Sequence, residues 1–246
     1  MQPFLHIDQL RFGRQNALCQ AFSAQLDQSG LIILSGKNGV GKSTLLKTLA
    51  GLLPVLSGFV SIQNIALPVT ASKSFSFFRS NQHFHNLSQV LAYTNTERVK
   101  EDYITVGDLI RYGQYPYLSQ ASAQINQTLF DETVNMLGLN PLLNKYLNVI
   151  SDGEWQKANI ARTLLQDTPI ILMDEPSAFL DYEAKSQLFG ELKNIASSKN
   201  KLIIVSTHDL DLANRYGTHF WHIQDGTLQA SDRPFMGQYT DHLSSI

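Results

Sequence analysis

The sequence predicts an α/β protein that has a mainly parallel sheet, an antiparallel β edge and an inserted helical subdomain. Three short, mainly apolar segments, at 31–35, 170–173 and 201–207, have the length and composition of strands that are buried on both faces. Between the first two segments, apolar residues recur at helical spacing over 106–110 and 124–137, which predicts helices there. With 246 residues, the chain is long enough for one sizeable domain of this kind.

The composition indicates a globular protein and excludes several classes of function. Apolar residues make up 43% of the chain and charged residues 16%, and the net charge of −2 gives no reason to expect a nucleic-acid partner. Cys19 is the only cysteine, which excludes a disulfide framework and a cysteine metal cluster and is compatible with a reducing cytoplasm. The first residues lack the basic segment and apolar core of a signal peptide.

One uncharged stretch, 48–72, is long enough to cross a bilayer in principle. Pro54, Gly58 and Pro68 interrupt it, so we interpret it as a helix end, a turn, a strand at 59–62 and a loop. Because polar and helix-breaking residues are costly in lipid, we expect no membrane span in this stretch.

Two segments near the N-terminus, 4–12 and 21–26, alternate in apolarity and predict the strands of the antiparallel β edge. Phe12 ends the first segment and, judged from the residues alone, is an ordinary strand aromatic. Near the other end of the chain, an Asp-Gly turn within 220–228 predicts a β-hairpin.

A glycine-rich motif joins the first buried strand to a predicted helix over 45–50. It matches the pattern G-x-x-x-x-G-K-S/T, typical of a phosphate-binding loop, and consists of Gly36, Lys37, Asn38, Gly39, Val40, Gly41, Lys42, Ser43 and Thr44. Its glycines let backbone N–H groups and the helix N-terminus surround an anion. We expect Lys42 to reach the β- and γ-phosphates of a nucleotide and Ser43 to bind Mg²⁺.

The segment that follows carries weaker signals. His83 and His85 could belong to a metal site, but without a third nearby ligand a solvated strand or loop is the better interpretation. A strand is predicted at 89–93. Thr105 has the position of a helix cap, and Gly138 has the position of a helix end.

Polar residues with catalytic potential follow the later buried strands. Asp174 and Glu175 stand at the carboxyl end of the strand at 170–173, where open parallel sheets place their ligands. With a phosphate loop upstream, we predict that Asp174 holds Mg²⁺ through water and that Glu175 is the general base for an attacking water. His208 follows the strand at 201–207, either as a surface residue or as a contact to a γ-phosphate.

A serine and a glutamate three positions later, Ser151 and Glu154, indicate by themselves only a helix capping box. Together with the phosphate loop, the Asp174-Glu175 pair and His208, in this order, they resemble an ATP-binding-cassette (ABC) ATPase over most of the chain. The segment 150–154 is similar to the family signature, which is usually Leu-Ser-Gly-Gly-Gln.

The resemblance extends to further site residues. The segment from Ser177 to Asp181 is similar to the family's D-loop. The resemblance makes His208 the switch histidine and Phe12 the aromatic ring that stacks on adenine. In both cases it reverses the plainer interpretation that the residues alone support.

The resemblance also implies an architecture. It implies a P-loop NTPase fold in a single domain, 1–246, whose α/β core comprises 1–97 and 166–246 and whose helical subdomain spans about 98–165. It further implies a head-to-tail homodimer with the cofactors ATP and Mg²⁺. Residues of one copy would then act on the nucleotide bound to the other copy, namely Ser151, Asp152, Gly153 and Glu154.

The sequence departs from the family pattern at two places. Asp152 replaces the first glycine of the signature and adds a negative charge near a triphosphate, whereas Glu154 in place of glutamine is a mild change. Thr96 occupies the position of the Q-loop glutamine, which in the family helps to hold Mg²⁺ and reports to the membrane subunit. Thr96 or Glu97 could substitute for that glutamine.

The segment 105–117 is similar to the corresponding segment in the ATPases of iron-siderophore, haem and cobalamin importers. This resemblance implies a subunit bound peripherally at the cytoplasmic face of the inner membrane. Its partners would be separate transmembrane permease subunits, a second copy of itself and, indirectly, a substrate-binding protein.

Two alternatives stay open from the sequence. A soluble ABC-type ATPase that acts on DNA, ribosomes or iron–sulfur assembly would show basic patches, a coiled-coil insertion or a second cassette. A regulatory module that holds ATP without hydrolysing it is conceivable because of Thr96, although Glu175 argues against it. A P-loop kinase would leave His208 and the signature segment unexplained.

Overall fold

The structure of the protein is a computed structural model, and it describes residues 3–69, 81–94, 97–98, 102–117 and 126–234. Thr96, at the Q-loop position, lies outside the described residues. The first two residues of the helix predicted at 124–137 lie outside them as well.

A six-stranded sheet forms the centre of the molecule. Its strands are β3 (Gly30–Gly36), β6 (Leu91–Thr94), β7 (Ile170–Asp174), β8 (Leu202–Ser206), β9 (His219–Gln224) and β10 (Thr227–Ser231). They lie in the order β10-β9-β3-β8-β7-β6, and every pair except β9 with β10 is parallel. The carboxyl ends of β3, β7 and β8 therefore meet at one edge of the sheet.

A second, four-stranded sheet is antiparallel. Its strands are β1 (Leu5–Arg11), β2 (Phe22–Leu26), β4 (Ser57–Ile62) and β5 (Ile65–Ala66), in the order β2-β1-β4-β5. The antiparallel strands were predicted as an edge beside the core sheet, whereas they form a sheet of their own. Their hydrogen-bonding partners are one another, and they meet the central sheet through apolar side chains.

Seven helices and three 3₁₀ turns are assigned in the described part of the chain. The helices are α1 (Lys42–Leu49), α2 (Asn81–Val90), α3 (Val106–Arg111), α4 (Gln127–Met136), α5 (Asp152–Leu165), α6 (Tyr182–Ser198) and α7 (Leu210–Tyr216). The 3₁₀ turns are Tyr112–Tyr117, Asn140–Leu142 and Leu147–Val149. Capping boxes open α3 at Thr105, where the sequence predicts a helix cap, and α5 at Ser151, where it predicts the box itself.

The segment before β6 differs from its prediction. The strand predicted at 89–93 begins only at Leu91, because the residues before it form α2. This helix is rich in Asn, Gln, Ser and His, so its apolar pattern is too sparse to be recognised in the sequence. His85 lies within it, 3.2 Å from the amide nitrogen of Gln89 one turn later. Among the described residues, no group of three His, Cys, Asp or Glu side chains is arranged to hold a metal.

The central sheet separates two hydrophobic cores. Alternate residues of β3 point to opposite sides, with Ile33 in one core and Ile32 in the other. The first core packs the sheet against α3 to α7, and the second packs it against α1 and the antiparallel sheet. None of the helices described is both long and apolar enough to span a membrane.

Candidate functional site

The phosphate loop connects the buried strand β3 to α1 at the ligand-bearing edge of the sheet. Gly36, Gly39 and Gly41 have φ angles of +144°, +77° and +115°, in the region that favours glycine. A Cβ atom at Gly39 would meet nothing within 4 Å, so the backbone faces open space there. The residues at 37–39 are exposed, as is Ser43 in the first turn of α1. The loop is therefore an open cradle of backbone N–H groups at a helix N-terminus.

Lys42 lies beneath this cradle. Its side chain is only 7% exposed, and its ammonium group donates to the carbonyl oxygens of Gly36 at 2.8 Å and Lys37 at 3.3 Å. The same nitrogen lies 4.0 Å from Oε1 of Glu175. A positive charge is thus fixed between the phosphate loop and the carboxylate that follows β7.

Two carboxylates stand at the end of β7, and Ser206 on the neighbouring strand β8 arranges both. The Ser206 hydroxyl donates to Oδ1 of the buried Asp174 at 2.7 Å and accepts from the backbone N–H of Glu175 at 2.9 Å. Glu175 has a φ of +48°, which is uncommon for a residue other than glycine and concentrates at functional sites. Sequence reasoning missed Ser206, whose only signal was a hydroxyl at the end of a buried strand.

His208 completes this edge. Its Nδ1 lies 3.0 Å from Oε2 of Glu175, while the side chain stays 61% exposed. The carboxylate of Glu175 therefore lies between an ammonium group on one side and an imidazole on the other. Three residues that were predicted as site residues, Lys42, Glu175 and His208, are brought together by the order of β3, β8 and β7 in the sheet.

A buried hydroxyl lies close to Asp174. Tyr93 on β6 pairs with Leu172 on the adjacent strand, two residues before Asp174. Its hydroxyl oxygen is buried and has no hydrogen-bond partner among the described residues. Burial raises the pKa of Tyr93 above its ordinary value, and the charges of Asp174 and Glu97 raise it further. The phenol is therefore neutral and can donate a hydrogen bond beside the carboxylate.

The signature segment forms the start of α5. Ser151 is the N-cap, and its backbone N–H and hydroxyl both donate to Oε2 of Glu154, at 2.8 and 2.9 Å. These two hydrogen bonds, the backbone one first, lower the pKa of Glu154 below its ordinary value. Asp152 and Ser151 are exposed. In the described part of the chain, no hydrogen bond or ion pair joins 151–154 to the phosphate loop.

The D-loop packs against the signature segment of the same chain. A Cβ atom at Gly153 would lie 2.9 Å from the carbonyl oxygen of Phe179, so glycine permits this close approach. Phe179 has a φ of +65° and is 63% exposed. Asp181 caps α6 by accepting from the backbone N–H of Ala184 at 2.8 Å, and the buried Ser177 hydroxyl has no partner among the described residues.

The role expected for Phe12 is not supported by the structure. The ring is completely buried and packs edge-on against Phe22, with 6.3 Å between the ring centroids. A ring in this position has no face that an adenine base could stack on. Leu18, which sequence reasoning missed, is 41% exposed beside the phosphate loop, and its Cδ1 lies 3.0 Å from the Cβ position of Gly41.

These residues fit a nucleoside triphosphate and a divalent cation. The cradle has open space at Gly39 and a buried ammonium group below it. The exposed hydroxyl of Ser43 and the carboxylate of Asp174 are oxygen ligands of the kind that Mg²⁺ prefers. The hydroxyl of Tyr93, which has no hydrogen-bond partner among the described residues, supplies a donor near Asp174.

The sequence and fold match known proteins. The ABC transporter family matches residues 19–178. The achromobactin transport ATP-binding protein CbrD of Dickeya dadantii is 33% identical over 215 residues, which are 85% of this chain and 74% of CbrD. The petrobactin import ATP-binding protein FpuD of Bacillus anthracis is 28% identical over 223 residues, which are 89% of this chain and 77% of FpuD.

A solved structure shares the fold. The dimeric ATP-binding cassette MJ0796, in a post-hydrolysis state with ADP and phosphate bound, aligns with a TM-score of 0.73 at 20% identity. The alignment covers 93% of this chain and 98% of that chain. The predicted α/β fold with a mainly parallel sheet is confirmed. With the phosphate loop, the paired carboxylates and His208 at one sheet edge, and with these matches, the chain belongs to the ATPases of the ABC transporter family.

Proposed function

We propose that this chain is the ATP-hydrolysing subunit of a membrane importer and couples MgATP to the motion of separate permease subunits. The observation that carries the proposal is the meeting of Lys42, Glu175 and His208 at the carboxyl edge of the sheet, directly beside the phosphate loop. A structural role alone would not require an ammonium group, a carboxylate and an imidazole to converge on a strained residue such as Glu175.

Binding would begin at the phosphate loop. The backbone N–H groups at 37–43 and the N-terminus of α1 attract the phosphates, and Lys42 exchanges its two carbonyl partners for phosphate oxygens. Ser43 and, through water, Asp174 would hold Mg²⁺, which neutralises charge that develops on the phosphates. The apolar surface of Leu18 lies beside the loop, where it is available to the base.

Hydrolysis would depend on Glu175. Its carboxylate accepts a proton from, or polarises, the water that attacks the γ-phosphate. Ser206 fixes the backbone N–H of Glu175, and the hydrogen bond with His208 orients the side chain. His208 is exposed enough to approach the γ-phosphate as well.

The site would be completed by a second copy of the chain. The N-terminus of α5, with Ser151 and Gly153, would be the anion-binding end of this helix, and its first residues are exposed. In a head-to-tail dimer it would face the γ-phosphate held by the partner. The hydroxyl of Ser151 would then turn from Glu154 to the phosphate.

The wider assignment follows the family. The α/β core at 1–97 and 166–246 would hold the nucleotide, and the helical subdomain at about 98–165 would carry the signature segment toward the partner. Relatives that act in achromobactin transport and petrobactin import support a cargo of the iron-siderophore type. The similarity of the segment 105–117 to importer ATPases extends this class to haem and cobalamin. Such a subunit would sit at the cytoplasmic face of the inner membrane, with permease subunits and, indirectly, a substrate-binding protein as partners.

The proposal is tested by Mg²⁺-dependent ATP hydrolysis over a series of protein concentrations, beside Glu175→Gln and the control Glu183→Gln. Glu183 is an exposed carboxylate in the first turn of α6. We expect specific activity to rise with protein concentration, Glu175→Gln to lose turnover and accumulate an ATP-bound dimer, and Glu183→Gln to behave like the unmodified chain. ATP binding without turnover at any concentration, with or without co-expressed permease, would instead favour a regulatory module.

A further inference from the structure

Arg98 holds the start of the signature helix from the outside. Its guanidinium donates to Oδ1 of Asp152 at 2.5 Å, to the carbonyl oxygen of Leu147 at 2.7 Å and to that of Ile150 at 2.9 Å. These three acceptors surround Ser151, the N-cap of α5. The Arg98 side chain is 30% exposed, so it lies against the surface rather than extending into solvent.

The charges around Arg98 are arranged in an unusual way. A cation at a helix N-terminus is ordinarily unfavourable, because that end of the helix dipole is positive. Asp152 reverses this, since it lies in the first turn of α5 and pairs with the guanidinium. An exposed ion pair alone contributes little, but here the planar donor fork also binds two carbonyl oxygens. Asp152, which replaces a glycine of the family signature, therefore has a specific partner in this chain.

Glu97, the residue before Arg98, contacts a different helix, α1. The carboxylate of Glu97 lies 3.2 Å from the ammonium group of Lys47 on α1, the helix that follows the phosphate loop. Two consecutive residues after β6 thus reach the phosphate-loop helix and the signature helix, respectively.

We propose that Arg98 is a positioning residue: its contacts with Asp152 and the two carbonyl groups fix the signature segment in the orientation that a partner's nucleotide meets. The proposal rests on the proposed function, because the orientation matters only if Ser151 and Gly153 act on a second copy. It also assigns a role to Asp152, whose negative charge is neutralised by Arg98 before a triphosphate approaches.

A first experiment measures local order without any nucleotide. Hydrogen exchange is followed by mass spectrometry in the full chain, in Arg98→Gln, and in the control Lys199→Gln, which breaks an exposed pair with Glu132 on α4. We expect Arg98→Gln to accelerate exchange at least tenfold over 147–156 and to leave the core strand at 202–206 unchanged. Lys199→Gln should leave 147–156 unchanged. Unaltered exchange over 147–156 in Arg98→Gln overturns the proposal.

A second experiment measures the functional consequence. In the Glu175→Gln background, the ATP-dependent dimer is titrated by sedimentation, and ATP affinity is measured below the dimerisation range. Arg98→Gln is expected to weaken the dimer at least tenfold with ATP affinity of the monomer unchanged within twofold. Arg98→Lys keeps the positive charge but loses the planar, forked donor group, so its dimer affinity should lie between that of Arg98→Gln and that of the chain with Arg98. If the substitution only destabilised the fold in general, the affinity of the dimer and the ATP affinity of the monomer would fall together, which would contradict the proposal.

A double-mutant cycle with Asp152→Asn separates the Arg98–Asp152 interaction from the contacts of Arg98 with the two carbonyl groups. If Asp152 is the partner of Arg98, the effect of Arg98→Gln on the dimer should shrink severalfold when Asp152→Asn is already present. Fully additive effects would overturn the pairing. Failure of the Glu175→Gln chain itself to dimerise would contradict the proposed function, while the exchange experiment would still decide whether Arg98 orders the segment.

Discussion

At the scale of single residues, the site depends on side chains that act on one another across strands. Ser206 is completely buried and binds both the carboxylate of Asp174 and the backbone N–H of Glu175. Its hydroxyl therefore connects Asp174, which is proposed to hold the cation, with Glu175, which is proposed to act on the attacking water. Such a link arises only from the register of β7 with β8, in which Asp174 lies opposite Ser206.

We predict that Ser206→Ala lowers both stability and turnover. Removing the hydroxyl leaves the buried carboxylate of Asp174 without that donor, which costs about 1–3 kcal/mol of the free energy of unfolding. ATP hydrolysis should fall more than ATP affinity, because the backbone at Glu175 loses a partner while the phosphate loop is untouched. Denaturant unfolding and steady-state kinetics measure the two effects. Ser197→Ala, at an exposed serine of α6, is the control, and an equal response of both variants would refute the prediction.

Phe12 gives a second prediction, in which the structure and the family resemblance disagree. Because the ring is fully buried against Phe22, Phe12→Ala should destabilise the fold by about 3–5 kcal/mol, and Phe12→Leu by less. The ATP affinity of the folded protein should stay unchanged in Phe12→Leu. Thermal unfolding and fluorescent-nucleotide titration distinguish the two possibilities. A large loss of ATP affinity at an unchanged melting temperature would mean that the ring does contact adenine.

Site residues could be predicted from the sequence where they belong to motifs with fixed spacing. They could not be predicted where their role depends on tertiary packing. Lys42, Glu175 and His208 follow recognisable strands, so their meeting at one edge could be expected from parallel topology. Ser206 and Arg98 act through partners 32 and 54 positions away, and no local pattern marks such pairs. The burial of Phe12 likewise depends on how the chain packs just after β1, where the ring meets Phe22.

At the scale of secondary-structure elements, helix α5 carries the most information. Its capping box satisfies the free N–H groups of the first turn, and its first residues are also the segment predicted to meet a partner's nucleotide. The sequence predicted this helix start because Ser151 and Glu154 have the right spacing. Helix α2 was missed because only Phe84, Leu87 and Val90 of its ten residues are apolar, too few to stand out in a polar segment.

We predict that Ser151→Ala destabilises the protein by about 0.5–2 kcal/mol near neutral pH, the usual cost of losing an N-cap. The pKa of Glu154 is lower in the folded state than in the unfolded state. The carboxylate therefore contributes to the free energy of unfolding at pH values above its unfolded pKa, and this contribution is lost as the pH falls through its folded pKa. The difference in unfolding free energy between the two proteins should therefore shrink as the pH is lowered from 7 to 3.

The matched control for this prediction is Thr105→Ala, which removes the capping box of α3. Thr105→Ala should lower the free energy of unfolding by a similar amount and leave the affinity of the ATP-dependent dimer unchanged. Ser151→Ala should lower both the free energy of unfolding and the affinity of the dimer. Unfolding curves over the pH range and sedimentation with ATP provide the comparison. A constant difference between Ser151→Ala and the unmodified chain from pH 7 to pH 3 would show that Glu154 is not part of the cap in solution.

At the scale of the whole molecule, two cores on opposite sides of one parallel sheet leave its carboxyl edge free for chemistry. One core holds α1 and the antiparallel sheet, and the other holds the helices that carry the signature segment. The parallel sheet could be predicted from its apolar strands, because strands buried on both faces read as continuous apolar runs. The separate antiparallel sheet could not, since alternating strands show which face is buried but not which sheet they join.

The last prediction concerns nucleotide binding by the whole assembly. In Glu175→Gln, a nucleotide that binds only the folded chain stabilises it by about 2.7 kcal/mol at a hundredfold excess over Kd. For a chain of this size, that corresponds to a rise in Tm of roughly 5–10 °C. If two copies close around the nucleotide, the Tm measured with saturating MgATP should also rise with protein concentration, because unfolding then separates the partners. Lys42→Ala should abolish the shift. A shift that stays constant over a hundredfold range of protein concentration would mean that each chain binds its nucleotide alone.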